Sequence, residues 1–356
     1  MKNLTATMVA FVVLISFSCN KNMGKADGNG EKSKVTFIEN AQDNSVDVMV
    51  DNQLFTSFRW PEKATKPMLY PIINAGGTEI TRGFPLNPKV GERADHPHQM
   101  GMWLTYGKVD GNDFWGNGSH GLGTKNDNGG FIKEVKVNKT SAGTNEGVLK
   151  FSSQWIGSDG VELLNENTEF HFIAEGSLRI IDRITTLTSI DKEVKFDDTK
   201  EGMFGIRVAR QLELPSQGTM TLLNAAGEPE KVKAMSTDGI TGNYMSSEGG
   251  SGLEVWGSRA KWMDLYGNIG DEKVSLVICD HPKNVNYPTW WHARGYGLFA
   301  ANPFGAKDFT EGKQSINFSI PKKGSVTFRY RTIISSGNHL TADQINSYAD
   351  DFAKKY

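Results

Sequence analysis

The chain has 356 residues, 38% hydrophobic and 22% charged. That composition places it among globular proteins, with enough length for one large or two medium domains. A formal net charge of −2 gives no sign of a nucleic-acid surface.

From the N-terminus, Lys2 supplies a positive charge ahead of an apolar run over 4–17. The run is too short to span a bilayer and reads as a targeting leader. It ends Ser16-Phe17-Ser18-Cys19, so residues 1–19 are predicted to be a lipoprotein signal with Cys19 acylated. Ordinary secretory cleavage is the alternative. Residues 20–33 have no apolar period and read as a flexible tether. Cys279, the second of two cysteines, lies in an apolar run and is expected to be a buried, inert thiol. After the leader no segment is long and apolar enough to span a membrane.

Alternating or short apolar runs follow at 34–39, 46–51, 53–59, 131–139, 148–156, 161–173, 178–189, 193–197 and 204–214. Others follow at 262–266, 274–279, 315–320 and 325–334. Gly, Asn, Asp or Pro punctuates almost every gap. In 325–331, Val326, Phe328 and Tyr330 share one side while Thr327, Arg329 and Arg331 share the other. Phe204, Ile206 and Val208 alternate likewise, which puts Arg207 on the opposite face. Only 341–355 reads as a helix. Thr341 caps it, Ile345, Tyr348, Ala349 and Phe352 form its apolar stripe, and Lys354 and Lys355 end it. The fold class is therefore all-β. Residues 34–356 are expected to form one large antiparallel β-sandwich, with the helix packed on its edge.

The chemistry concentrates in three stretches. Four of the seven histidines fall in two of them, each time after an aspartate and near tryptophan and glycine. In Asp95-His96-Pro97-His98, proline favours an extended residue before it, so both imidazoles should point one way. Such a pair suits either one metal ion or an acid and a base on one substrate. Otherwise Asp95 and the backbone hold both rings in a rigid loop. A divalent metal would need a third ligand from elsewhere in the chain. No metal site and no cofactor is assigned. The second stretch runs from Asp280-His281-Pro282 to Trp290-Trp291-His292-Ala293-Arg294-Gly295-Tyr296. Arg294 can clamp an oxyanion bidentately, and the aromatic residues can stack on a sugar ring or pack a small core. The third, 201–207, offers Glu201 and Arg207, as site residues or as a buried ion pair. His171, on a strand face with Glu169, reads as a satisfied strand histidine.

Thr81-Arg82-Gly83-Phe84-Pro85, Asp95-His96-Pro97-His98 through Trp103, and Asp113-Phe114-Trp115 together resemble a bacterial family labelled "PmoA family protein". So do 205–209, Asp280-His281-Pro282, 291–298 and Asn302-Pro303-Phe304-Gly305. The likeness spans about 34–335. One position departs: where the family has a further histidine after His-Pro-His, this chain has Gln99. The family's label, methane oxygenase, belongs to an integral membrane protein and reads as a transferred name. The resemblance implies a secreted β-protein associated with sugar degradation, and its sheet-rich pattern is similar to the large supersandwiches of aldose epimerases. The expected function is an enzyme of the bacterial cell envelope, anchored in the membrane through lipidated Cys19. It would carry out acid–base chemistry on a sugar or glycoside as an epimerase, lyase or hydrolase. His96, His98, His292 and Glu201 are the catalytic candidates. Arg207, Arg294, Trp103, Trp291, His281 and Tyr296 are the substrate-binding ones. The alternative is a non-catalytic glycan-binding lipoprotein. Both predict that the His96–His98 and His281–Arg294 loops meet at one cleft with Arg207 on its floor.

Overall fold

Period-two patterning closes into two antiparallel sheets stacked face to face. A computed structural model of the chain describes residues 32–116, 128–216, 218–234 and 239–356. The leader, Cys19 and all of the tether before residue 32 lie outside the described residues. The nine-stranded first sheet runs, in spatial order, Trp290–Ala293, Leu298–Asn302, Gly202–Arg207, Met102–Tyr106, Met68–Ile72, Gln53–Arg59, Ser45–Val50, Lys34–Asn40 and Gly143–Thr144. The eight-stranded second sheet runs Asn243–Ser246, Trp262–Ile269, Glu272–Asp280, Ser325–Ser335, Leu178–Ser189, Glu162–Glu175, Glu146–Ile156 and Phe131–Ser141. Lys32–Tyr356 gather as one unit.

The core lies between the sheets. Phe58, Leu104, Phe204 and Ile206 from the first sheet meet Phe151, Phe170, Leu276 and Tyr330 from the second. Phe204 and Tyr330 stack across the gap with ring centroids 4.9 Å apart and planes 5° from parallel. Each such side chain contributes roughly 1.5–3 kcal/mol by leaving water. Phe328 and Tyr330 take the core side of their strand as the alternation predicts. Arg331, on the other side, donates to both Asp182 carboxylate oxygens at 2.6 and 2.7 Å.

Helix Ala342–Lys355 opens with a capping box in which Thr341 accepts from the Gln344 N–H. It does not sit on the sandwich edge. Ile345 and Phe352 pack on Leu178, Ile180, Trp262, Val277 and Ile333, on the outer face of the second sheet. A stripe of this width needs a broad apolar surface, and the outward residues of four central strands supply it. No helix among the described residues is long and apolar enough to cross a membrane.

Five strands of the first sheet go beyond the runs predicted from the sequence: Met68–Ile72, Met102–Tyr106, Gly143–Thr144, Trp290–Ala293 and Leu298–Asn302. The run predicted over 204–214 also differs. Its strand ends at Arg207, and Arg210–Leu212 form a 3-10 turn.

Candidate functional site

At one end of the first sheet, strands 290–293, 298–302, 202–207 and 102–106 are buried along nearly their whole length. Loops cover their outer face as the second sheet covers their inner one. A row crosses that outer face: His292 opposite Ala300, Ala300 opposite Gly205, Gly205 opposite Trp103. Small residues in mid-row leave room for indole rings. A Cβ on Gly205 would lie 3.0 Å from Trp103 and 3.2 Å from Trp115. The two indoles meet edge to face at 5.2 Å.

Two buried arginines fold the His96–Gln99 loop onto this floor. Arg207, fully buried on its strand, donates from Nη2 to Asp95 Oδ1 at 2.7 Å and from Nη1 to Gln99 Oε1 at 2.5 Å. Arg82 donates from Nη1 to the same Asp95 oxygen at 2.9 Å and to the Asp95 carbonyl at 2.8 Å. Its Nη2 donates to the His96 and Gln99 carbonyls, both at 3.0 Å. Burial raises the Asp95 pKa, but the His96 hydrogen bond and the two guanidiniums outweigh it and hold the carboxyl well below its usual range.

This clamp corrects the expected geometry of the two histidines. His96 is not extended: its φ is 43°, in the left-handed region a non-glycine residue adopts at a cost. Arg82 gathers successive carbonyls and Gln99 N–H closes on the His96 carbonyl at 2.9 Å, so the segment turns. The two imidazoles lie 81° apart in plane with centroids 5.7 Å apart. His96 is exposed, 3.3 Å from Asp95 Oδ1 through Nδ1, and stacked on Tyr296 at 5.0 Å with planes 1° apart. Arg207 lies against the same Tyr296 ring, 4.8 Å from its centroid.

A cleft of about 390 Å³ opens above. His96, His98, Asp113, Trp115, Glu201 and Tyr296 are among its lining. Burial, then the nearby Lys66 charge, pushes His98 down to about 2, so its ring is neutral. Lys66 is buried and donates to the Trp115 carbonyl at 2.6 Å. Burial pushes it down to about 7 against the pull of Asp113. Glu201 is shifted the other way, raised by burial against the attraction of Lys200. A raised carboxyl and a carboxylate-oriented imidazole on one cleft are the parts of a proton-transfer site.

The sequence candidates divide. His96, His98, Glu201 and Tyr296 line the cleft, and Arg207 lies beneath it as expected. His292 is buried beside it. Its Nδ1–H donates to the Lys200 carbonyl at 2.7 Å, so it anchors the residue before Glu201. Burial, then Arg294, pushes it down to about 3. Trp103 is sealed under the floor with Trp115, Leu298 and Ala300. Trp291 faces the opposite way, into the core between the sheets, with Nε1 donating to the Ala260 carbonyl at 3.0 Å. Residues alternate along a strand, so Trp291 cannot share the His292 face. His281 lies apart from the cleft, its ring 5.1 Å from that of Phe352 under the C-terminal helix. Asp95-His96-Pro97 and Asp280-His281-Pro282 therefore do not meet at one site. The meeting of the His96 loop with the 290–297 segment runs through Tyr296. Lys66, Arg82, Asp113 and Trp115 are site residues to which the sequence reading assigned no role. Asp113-Phe114-Trp115 and Arg82 lay within the resembling motifs, whereas nothing around Lys66 marks it. Among the described residues, no group of three His, Cys, Asp or Glu side chains is placed to hold a metal ion.

Comparison with known proteins places residues 45–350 in a family described as one of unknown function, DUF6807, and the chain belongs to that family. No curated protein matches the sequence. Among solved structures, a GH36 alpha-galactosidase from Geobacillus stearothermophilus is 10% identical, with 86% of this chain and 41% of that one covered at a TM-score of 0.37. A putative aldose 1-epimerase from Escherichia coli K12 is 8% identical, with coverage of 85% and 98% and a TM-score of 0.31. A galactose mutarotase related enzyme from Lactobacillus acidophilus is 11% identical, with coverage of 87% and 99% and a TM-score of 0.30. The chain spans about two fifths of the length of the alpha-galactosidase.

Proposed function

We propose that this protein is a carbohydrate-active enzyme of the bacterial cell envelope that transfers protons on a sugar or glycoside bound in the His96–Glu201 cleft. The observation that carries the reading is the Asp95–His96 pair. Arg82 and Arg207 keep Asp95 ionised, Asp95 engages Nδ1, and Tyr296 supports the ring of an exposed imidazole that lines the cleft. A base needs that orientation before it needs a particular pKa. Glu201, with its raised pKa, is the matching acid. His98 stays neutral and offers one donor and one acceptor to a hydroxyl. The edges of Tyr296 and Trp115 provide apolar surface for a sugar ring, since His96 and the Arg207 and Arg294 guanidiniums lie against the Tyr296 ring itself. Epimerisation, elimination and hydrolysis all use such a pair.

A screen of oxidised and unoxidised glycosides tests the reading. Turnover by the wild type should fall by about a hundredfold or more in His96→Ala and in Glu201→Gln, with ligand binding retained. Binding without any turnover by the wild type would make the protein a glycan receptor instead. The leader supports the envelope location: Cys19→Ala should release the protein from the membrane fraction, and retention after a high-salt wash would refute the anchor.

A further inference from the structure

A second cleft, of about 510 Å³, lies beside the first and shares Tyr296 as a wall. Arg93, Met220, Leu253, Trp256 and Arg294 also line it. Leu253 is 66% exposed there, an apolar residue left facing solvent at the rim.

Arg294 is the unusual member. The buried arginines 82, 207, 183 and 331 each pair with a carboxylate. In the same cleft, Arg93 is committed to Glu213 at 2.6 Å and to Ser216 at 3.3 Å. The Arg294 guanidinium, among the described residues, has neither an ion pair nor a hydrogen bond. It is held between two aromatic faces, 5.5 Å from the Trp256 centroid and 5.6 Å from that of Tyr296. Its backbone is rigid. Arg294 N–H donates to the Leu298 carbonyl at 2.7 Å, its carbonyl accepts from Gly297 N–H at 3.1 Å, and Tyr244 OH donates to the same carbonyl at 3.1 Å. A half-buried, preorganised guanidinium with its donors unspent is a receptor for a planar or tetrahedral oxyanion.

The geometry points to an acidic-group subsite: the protein takes an anionic glycan whose reacting ring lies in the first cleft and whose carboxylate or sulfate sits on Arg294. Tyr296 separates the two positions and contacts both. This inference rests on the carbohydrate reading above. It adds the substrate class.

The test is direct binding to a panel of oligosaccharides in neutral, uronate-containing and sulfated forms of the same backbones. Wild type, Arg294→Gln and Arg294→Lys are compared at low and high salt. The wild type should bind one acidic form about tenfold or more tightly than its neutral counterpart. Arg294→Gln should abolish that preference while keeping neutral binding and most of the wild-type melting temperature, since Arg294 has no ion pair or hydrogen bond to lose and gives up only its contacts with the Trp256 and Tyr296 faces. Arg294→Lys should keep only part of it, because the fork is gone. The arm that wins, uronate or sulfate, identifies the group. Equal binding of neutral and acidic forms, or a preference that survives Arg294→Gln, overturns the subsite and leaves the carbohydrate reading standing. No binding to any member overturns both.

Discussion

Arg207 reaches Asp95 across 112 positions of sequence, at 2.7 Å, with its own side chain fully buried. Burying a guanidinium is tolerable only where an anion meets it, and here one carboxylate oxygen serves both Arg207 and Arg82. The loop that carries His96 is thus fixed by charge compensation beneath the sheet's outer face.

Asp95→Asn should therefore destabilise the fold by about 3 kcal/mol, because two buried guanidiniums would face a neutral amide. The depressed folded pKa sets the sign of the pH dependence. The carboxylate's contribution is present above the unfolded value of about 3.9 and is lost as the pH falls toward the lower folded value. Urea unfolding at pH 7 and at pH 3 measures both. A variant as stable as the wild type at pH 7 would show that the arginines find other partners.

Gly205 reports on the floor. Gly205→Val should cost about 1–3 kcal/mol by overpacking against Trp103 and Trp115. The same change should alter near-ultraviolet dichroism, since both indoles must shift. Gly205→Ala should do less, because its Cβ meets neighbours at 3.0–3.2 Å. An unchanged spectrum in the valine variant would mean that the floor yields elsewhere.

Asp264 predicts a slope in the opposite sense. Burial pushes it up from 3.8 to about 8, with Ser275 its side-chain hydrogen-bond partner. The folded state therefore holds a proton that the unfolded state releases. Its contribution to stability is complete below about pH 4, declines as the pH rises, and is gone above about pH 8. Asp264 by itself should lower the melting temperature between pH 5 and pH 8, against the rise that the depressed His98 and His292 add below about pH 6.5. Asp264→Asn should therefore gain on the wild type in melting temperature as the pH rises through that window, while Asp280, raised to about 7, acts alike in both proteins. Identical slopes in the two proteins would refute the assignment.

The C-terminal helix is a test of packing separate from the cleft. Phe352 is fully buried, 5.0 Å from the Arg331 guanidinium. Phe352→Ala should cost about 3–5 kcal/mol, and Thr341→Ala about 1 kcal/mol through the lost cap. Denaturant midpoints give both values, and a smaller loss for Phe352 than for Thr341 would contradict the face-on docking.

Some of this was legible in the chain because extended backbone alternates its side chains locally. Val326-Thr327-Phe328 and Phe204-Gly205-Ile206-Arg207 announced which side faces the core, and Thr341 with its apolar stripe announced the helix. The same rule separates Trp291 from His292, since neighbours on a strand face opposite ways. Which of them reaches the site is a matter of register, however, and register comes from the partner strand at 298–302. Strands 102–106 and 290–293 escaped notice because both faces are buried, which erases the polar half of the alternation. Lys66 is beyond local reasoning altogether, and so is the pairing of Asp95 with Arg82 and Arg207. A lysine beside a proline looks like any surface lysine until a carbonyl 49 positions away accepts its hydrogen bond. His281 looked like His96 until the helix covered it. Periodicity is a property of neighbours in the chain. Charge compensation, burial and the sharing of Tyr296 by two clefts are properties of residues that meet only when the sheets close.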